Sequence, residues 1–451
     1  MTTIDVRAGR LPQEELNLNF TDVHPPLQPG NALVEANRCY FCYDAPCVDA
    51  CPTSIDIPSF IRKISTGNLK GSASDILSQN IMGGMCARVC PTETLCEGAC
   101  VRETQDHQPV RIGELQRYAT DSFLESGETI FTRAESSGKK IAVIGGGPAG
   151  LSCAHRLAVL GHQVVIFEAR EKLSGLNEYG IAAYKTVDDF AQREVDFILK
   201  IGGIEVRTNH RLGQEVKLDN LRQEFDAVFL SVGLGDVNSL GLESEEIAGV
   251  YDAVETISEL RQCRNLAELS VGRRVIVIGG GSTAIDIAVQ SKKLGAEDVT
   301  LAYRRGPEQM NATWKEQEFA QTNGVQVKHW LAPKSLQSEN GHVSGIEFEC
   351  TTLNQDGKLS ATGELRNMEA DVVFKAIGQT LVNTLDATAE MLETEAGKIV
   401  VNAEYETSLA GVWAGGDCIG SGEDLTVQAV EDGKQAAIAI NRKLSTAIAN
   451  R

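Results

Sequence analysis

The pattern of apolar and polar positions first becomes regular at Lys140–Ile144, a short β-branched run that reads as a buried parallel strand. A glycine-rich turn follows, then the helix-like stretch LSCAHRLAVLG, then a second apolar run, Val164–Phe167. The same alternation returns downstream. Arg274–Ile278 predicts a strand, a second glycine-rich turn leads into a helix, and Val299–Ala302 predicts another strand. A third segment, 407–417, predicts a strand ending in Gly-Gly-Asp, followed by a helix over Leu425–Ile440. Before residue 135 the pattern changes to short helices separated by cysteines; Asp56-Ile57-Pro58 predicts one helix start, because Asp caps and Pro is tolerated in a first turn.

Length and charge narrow the class. The chain has 451 residues, 42% of them hydrophobic, enough for about three domains of roughly 150 each. No run of about 20 apolar residues occurs, so no membrane span is expected. The first twenty residues lack a basic stretch followed by an apolar one, which predicts a cytoplasmic location. Lys plus Arg is 42 against 62 Asp plus Glu, a net charge of −20 that disfavours nucleic acid as a partner.

Eight of the 12 cysteines fall between residues 39 and 100. They read Cys39-x2-Cys42-x4-Cys47-x3-Cys51-Pro52 and Cys86-x3-Cys90-Pro91-x4-Cys96-x3-Cys100. In a reducing compartment such a block points to metal rather than to disulfides. Zinc modules usually carry two C-x2-C pairs, and here there is one. Two cysteine runs, each with a Cys-Pro, are similar to those of two-cluster ferredoxins, and eight thiols match two four-iron clusters. Spacing alone does not partition the ligands.

The glycine-rich turns carry the nucleotide chemistry. In Gly145-Gly146-Gly147-Pro148-Ala149-Gly150, Gly145 permits the tight turn, Gly147 lets backbone approach a pyrophosphate, and Gly150 lets helix pack on strand. Glu168, closing the second strand, stands where a ribose diol would donate. In the second copy, Gly279-Gly280-Gly281-Ser282-Thr283-Ala284, alanine replaces the last glycine. Tyr303 then takes the place of the acid, with Arg304 and Arg305 just beyond, cations suited to a 2′-phosphate. Two such folds in one chain predict a flavoprotein with one resident flavin and one diffusing nicotinamide. Gly416 and Asp417 would face the flavin's ribityl–phosphate arm. Cys153, Cys263, Cys350 and Cys418 form no C-x-x-C, so no disulfide relay of the thioredoxin reductase type is expected.

With these pieces in place the chain resembles, throughout its length, the family of the glutamate synthase small subunit and the N-terminal half of dihydropyrimidine dehydrogenase. Within that family it is most similar to the small NAD(P)H-oxidising subunits of bacterial dihydropyrimidine dehydrogenase. The resemblance rests on CYFCYDAPCVDACP, MCARVCPTETLCEGAC, RIGELQRYATD, VIGGGPAGLSCAHRLA, VIVIGGGSTAID, AYRRGPEQM, FKAIGQ and WAGGDC, in that order.

It implies a helical domain with two [4Fe-4S] clusters (1–135), then two Rossmann-like α/β domains of adrenodoxin-reductase type, one inserted in the other. The FAD domain would be split, 136–255 and 381–451, around an NAD(P)-binding domain, 256–380. One cluster would take Cys39, Cys42, Cys47 and Cys100, the other Cys51, Cys90, Cys96 and the side chain of Gln116. A count of thiols would choose Cys86 instead of Gln116, and the two readings stand against each other. The flavin set implied is Pro148, Ala149, Glu168, Gly175, Leu176, Gly416 and Asp417, and the nicotinamide set Gly281, Ser282, Thr283, Arg304 and Arg305.

Two departures bear on this. Asn311 stands where NADPH-using relatives place a third cation, which keeps NADH open. Lys185 replaces an arginine near the flavin, leaving a point charge without a bidentate fork. The implied partner is an FMN-containing subunit that reduces uracil or thymine, in a hetero-oligomer. The alternatives are the small subunit of glutamate synthase and a stand-alone NAD(P)H:acceptor reductase acting on a ferredoxin-type carrier.

Overall fold

The computed structural model describes residues 5–243, 245–381, 391–420 and 422–449. The chain divides into two compact units. One comprises residues 24–178, 188–235 and 381 onward; the other comprises the residues up to 23, 179–187 and 236–380.

The first unit is built on a five-stranded parallel sheet in the order Val412–Ala414, Ala227–Leu230, Lys140–Ile144, Gln163–Phe167, Ile204–Arg207. Both faces of its strands are apolar, as a covered parallel sheet requires. Ile141, Val143, Val164, Ile166 and Phe229 face one way, and Ala142, Ile144, Val165, Val228 and Leu230 the other. The first face packs against the helices Pro148–Val159 and Thr426–Ala449. It shares one core with Leu77, Met82, Met85 and Phe123 of the N-terminal helical region.

That region's helices start where the side chains can cap them. Asp56 accepts from the Ser59 N–H at 3.0 Å ahead of Ile57–Ser65, and Asn68 from the Gly71 N–H at 2.9 Å ahead of Leu69–Gln79. Ile57, Phe60, Ile61 and Ile64 form the buried stripe of the first of these. The C-terminal helix runs nine residues past the expected Ile440. Leu444 continues the buried stripe of Ala437 and Ile440, and Asn441 Oδ1 holds His162 Nε2 at 2.9 Å.

The second unit repeats the plan. Its parallel sheet runs Gln326–His329, Asp298–Tyr303, Arg274–Gly279, Val372–Ala376, Val250–Asp252. One face carries the helix Ser282–Lys293; the other is covered by an antiparallel three-stranded sheet, Leu331–Glu339, His342–Leu353 and Leu359–Glu369, through Leu331, Ile346 and Phe348. In each unit the strand before the glycine-rich turn is central, where a doubly wound sheet places its nucleotide. No helix among the described residues is long and apolar enough to cross a membrane.

Candidate functional site

The two glycine-rich turns have matching geometry. Gly145 has φ +100°, and a Cβ there would lie 2.2 Å from the Ser231 carbonyl oxygen at the end of the neighbouring strand. Gly279, at φ +154°, would place its Cβ 2.1 Å from the Ala376 carbonyl oxygen at the corresponding point. Side chains are excluded at both. The third glycine of each turn, Gly147 or Gly281, is the extended N-cap of the following helix, so free N–H groups and the helix dipole face outward from each turn. Gly150 lies against the Gly145 carbonyl, with no room for a Cβ.

The residue that closes the second strand meets the middle glycine in both copies. Glu168 Oε2 accepts from the Gly146 N–H at 2.8 Å, and Oε1 from the Arg170 N–H at 2.8 Å. In the second unit the Tyr303 ring covers Gly280, where a Cβ would come within 2.5 Å of it. The acid therefore stiffens its own loop.

The remaining flavin candidates gather round the first turn. Gly175, at φ +53°, is so close that a Cβ there would lie 3.0 Å from Gly147 Cα, and Leu176 opens the short helix that follows. Gly416, at φ +79°, sits against Ala149. Burial pushes the Asp417 carboxyl up to about 6, Asp424 adding to the shift while Lys398 opposes it.

Three residues of this site were not found in the sequence. Ser231 Oγ donates to the Ile144 and Gly145 carbonyls at 3.0 and 2.9 Å. Asp432 Oδ2 accepts from the Gly416 N–H at 3.0 Å, while Oδ1 takes Gln428 and Tyr405. Ser174, at φ +88°, is fully buried, and no group among the described residues partners its hydroxyl. The signal available for Asp432 was a carboxylate followed by glycine inside a predicted helix; Ser174 and Ser231 carried none. A cramped backbone cradle, an orphaned hydroxyl and outward N–H groups fit the phosphate and ribityl portions of a dinucleotide.

In the second unit Ser282 donates to Glu316 Oε2 at 3.1 Å, and Thr283 follows in the first helical turn. Arg304 is exposed and Arg305 half-buried, and no carboxylate among the described residues pairs with either. Asn311 is exposed. Lys185 belongs to this unit. Its ammonium lies 2.7 Å from Asp286 Oδ1 and 3.5 Å from Glu316 Oε1. Burial works against its charge, but the two carboxylates outweigh it and raise the pKa.

The eight cysteines are all free thiols. Cys39, Cys42, Cys47 and Cys100 line one cavity, walled by Ile57, Ile61, Val110 and Ile112. Cys90 is close enough to Cys86, Cys96 and Cys51 to feel their charge, and Cys96 feels both Cys51 and Cys47. Burial, then Cys100 and Cys39, pushes Cys47 up to about 12. Cys90 is raised well above its usual value by the hydrogen bond with Cys86 and then by burial, and Cys96 by burial and then by Glu97. Cys47, Cys90 and Cys96 therefore resist ionising unless a cation joins them, which suits iron. Among the described residues no three His, Cys, Asp or Glu side chains converge as they would round a single ion; in an iron–sulfur cube each thiolate meets a different iron. Cys86 is buried beside Cys90, while Gln116 Nε2 donates to the Gly83 carbonyl at 2.7 Å, one turn before Cys86.

Two family models match the chain. Residues 16–128 match the family described as dihydropyrimidine dehydrogenase domain II, 4Fe-4S cluster, and residues 122–433 match pyridine nucleotide-disulphide oxidoreductase. The chain is 32% identical to the glutamate synthase [NADPH] small chain of Escherichia coli K12, with 96% of each chain covered. It is 34% identical to the NAD-dependent dihydropyrimidine dehydrogenase subunit PreT of Salmonella typhimurium, covering 95% of this chain and 98% of that one. Among solved structures, FprA of Mycobacterium tuberculosis in complex with NADPH gives a TM-score of 0.58 at 17% identity, over 69% of this chain and 86% of that one. Thioredoxin reductase of T. acidophilum gives 0.54 at 19% identity, over 68% and 99%. These two likenesses establish the fold of the paired nucleotide sheets. On its sequence relatives and its matched regions, the chain belongs to the family that contains the glutamate synthase small chain and the PreT subunit of dihydropyrimidine dehydrogenase.

Proposed function

We propose that this chain is the electron-input subunit of a pyrimidine-reducing enzyme: it oxidises NAD(P)H and passes electrons through FAD and two [4Fe-4S] clusters to an FMN-containing partner that reduces uracil or thymine. The observation that carries the electron-transfer reading is the placing of eight clustered thiols, four of them round one cavity, and one glycine-rich turn in a single unit. When bound, a flavin takes a two-electron donor and releases single electrons, and the clusters carry them onward.

The chain's own residues supply binding and orientation. Gly145, Gly147 and Gly150 shape the first cradle, Asp432 fixes Gly416 from behind, and Glu168 locks Gly146. In the second unit the N–H groups at Gly281, Ser282 and Thr283 would hold the pyrophosphate of a nicotinamide dinucleotide. Arg304 and Arg305, uncommitted to any carboxylate among the described residues, favour the 2′-phosphate of NADPH. No side-chain acid or base is required for hydride transfer between two bound rings.

The pyrimidine assignment is supported by Gln116 within RIGELQ and by the likeness to PreT. Near-equal likeness to the glutamate synthase small chain favours a second reading, in which the partner is a glutamine-amidotransferring subunit. The test is to purify the chain anaerobically with each type of partner and follow NAD(P)H oxidation. Uracil-dependent oxidation supports the first reading; oxidation dependent on glutamine and 2-oxoglutarate establishes the second and refutes the first.

A further inference from the structure

The C-terminal helix that follows the Gly-Gly-Asp turn also reaches the second cysteine group. Lys434, two residues beyond Asp432, is only 6% exposed. Its ammonium donates to the Gln79 carbonyl at 3.0 Å and to the Thr53 carbonyl at 3.3 Å. Thr53 is fully buried, and its hydroxyl lies 3.3 Å from Cys51 Sγ. Cys51 in turn belongs with Cys90 and Cys96. A buried cation thus stands one residue's contact away from a thiol assigned to a cluster.

The opposing charge is on the same helix. Glu431 Oε2 is 2.7 Å from Lys434 Nζ, and Glu431 also interacts with Arg156, whose guanidinium donates to the Ser78 carbonyl at 2.9 Å. Two cations share this one carboxylate, while Glu97 is the acid that acts on Cys96 itself. An iron–sulfur cluster becomes more negative on reduction, and nearby charge acts strongly where water is excluded.

We infer that Lys434 tunes the cluster carried by Cys51, raising its reduction potential so that electrons move readily onto it, with Glu431 setting the extent. Lys434 touches neither substrate nor cofactor. It is a positioning residue that acts through the Thr53 carbonyl and its own charge. The inference rests on the reading that Cys51, Cys90 and Cys96 hold a [4Fe-4S] cluster.

The test uses the holoprotein, purified anaerobically, as wild type, Lys434→Met, Lys434→Arg and Glu431→Gln. Iron and acid-labile sulfide are counted first; the clusters are then titrated by low-temperature electron paramagnetic resonance. K434M is expected to lower the potential of one cluster by about tenfold in its one-electron equilibrium, 59 mV. K434R should keep the wild-type value, and E431Q should raise the potential of the same cluster. Wild-type sulfide with unmoved potentials, shifts of the same sign in K434M and E431Q, or equal shifts in both clusters would overturn the role of Lys434. If K434M loses its iron, E431Q decides alone, and an unmoved or lowered potential overturns the inference. Absence of labile sulfide from every preparation, wild type included, overturns the cluster reading itself.

Discussion

Two glycines two residues apart in the second turn should respond in opposite ways to the same added methyl group. At Gly279 the backbone is at φ +154°, and a Cβ would sit 2.1 Å from the Ala376 carbonyl oxygen and 2.8 Å from its carbon. Both are main-chain atoms of the adjacent strand, so neither can swing aside. Overpacking costs about 1–3 kcal/mol and a strained backbone about 1–3 more, so Gly279→Ala should destabilise the second unit by roughly 2–6 kcal/mol. Gly281 is an extended N-cap at φ −104°, with nothing within 4 Å of its Cβ position. Gly281→Ala should leave stability within about 0.5 kcal/mol of wild type. If the turn holds a pyrophosphate, however, that methyl group stands between backbone and phosphate, and NAD(P)H binding should weaken about tenfold or more, 1.4 kcal/mol. Urea unfolding followed by Trp fluorescence, with Trp314 and Trp330 in this unit, reads the first effect; titration with NADH and NADPH reads the second. A well-folded G281A that binds both nicotinamides as wild type does would refute the assignment of this turn. A G281A as unstable as G279A would refute the steric argument.

Three further expectations follow from single contacts. Asp432→Ala removes the acceptor for the Gly416 N–H, along with the Gln428 and Tyr405 bonds, so flavin retained through gel filtration should fall while far-UV circular dichroism stays unchanged. Replacing Arg304 and Arg305 together by alanine should raise KM for NADPH about tenfold and leave KM for NADH nearly unchanged; equal losses would deny them a 2′-phosphate role. His155 is buried in the helix Pro148–Val159 with its ring 4.6 Å from that of Phe131, and burial, then Arg156, lowers its pKa from 6.5 to about 3. The folded state therefore holds it neutral. Its contribution is complete above pH 6.5 and is lost at about 1.4 kcal/mol per unit as pH falls from there toward 3. His155→Leu should flatten the fall in urea midpoint between pH 6.5 and 4.5, and an unaltered slope would show that other groups cause it.

The parts legible in the sequence were those whose physics is local. Buried parallel strands are unbroken β-branched runs closed by glycine, so Lys140–Ile144 falls where its composition placed it, and Arg274–Ile278 gains only Gly279. Glycines bound to φ or to close approach announce themselves by spacing. The contacts that hold the turns are non-local: Ser231 is 86 residues from the Gly145 carbonyl that it caps, and Asp432 is 16 from Gly416. Nothing in either segment alone distinguishes them from ordinary polar residues. Lys185 shows the same limit, since its partners Asp286 and Glu316 lie 101 and 131 residues on. The antiparallel sheet over Leu331–Glu369 is absent from the sequence reading because its outer strand is exposed almost throughout and carries no buried alternation.

The cysteine-bearing helices and the first sheet are one folding problem, and this can be measured. Gly84, at the start of the helix Gly83–Val89, has its Cβ position filled by the Phe190 ring at 2.6 Å and Glu194 Oε1 at 2.9 Å. Both belong to the helix Phe190–Leu199 beside the sheet. Glu194 accepts the Gly84 and Met85 N–H groups at 2.9 and 3.0 Å, and the Arg88 guanidinium stacks 3.4 Å above the Phe190 ring. Leu77, Ile81, Met82, Met85 and Phe123 are all at most 5% exposed within the core they share with the sheet. Burial of each contributes about 1.5–3 kcal/mol. If a fragment of residues 24–135 loses half of that, it forfeits roughly 4–8 kcal/mol, much of the 5–15 kcal/mol that keeps an average domain folded. Expressed alone and without iron, the fragment should show no cooperative urea transition, whereas the full chain should. A sharp transition in the isolated fragment would mean that the helical block is self-sufficient. Its absence would mean that the thiols and the first glycine-rich turn are held at a fixed spacing by a common core, the condition that stepwise electron movement between their occupants requires.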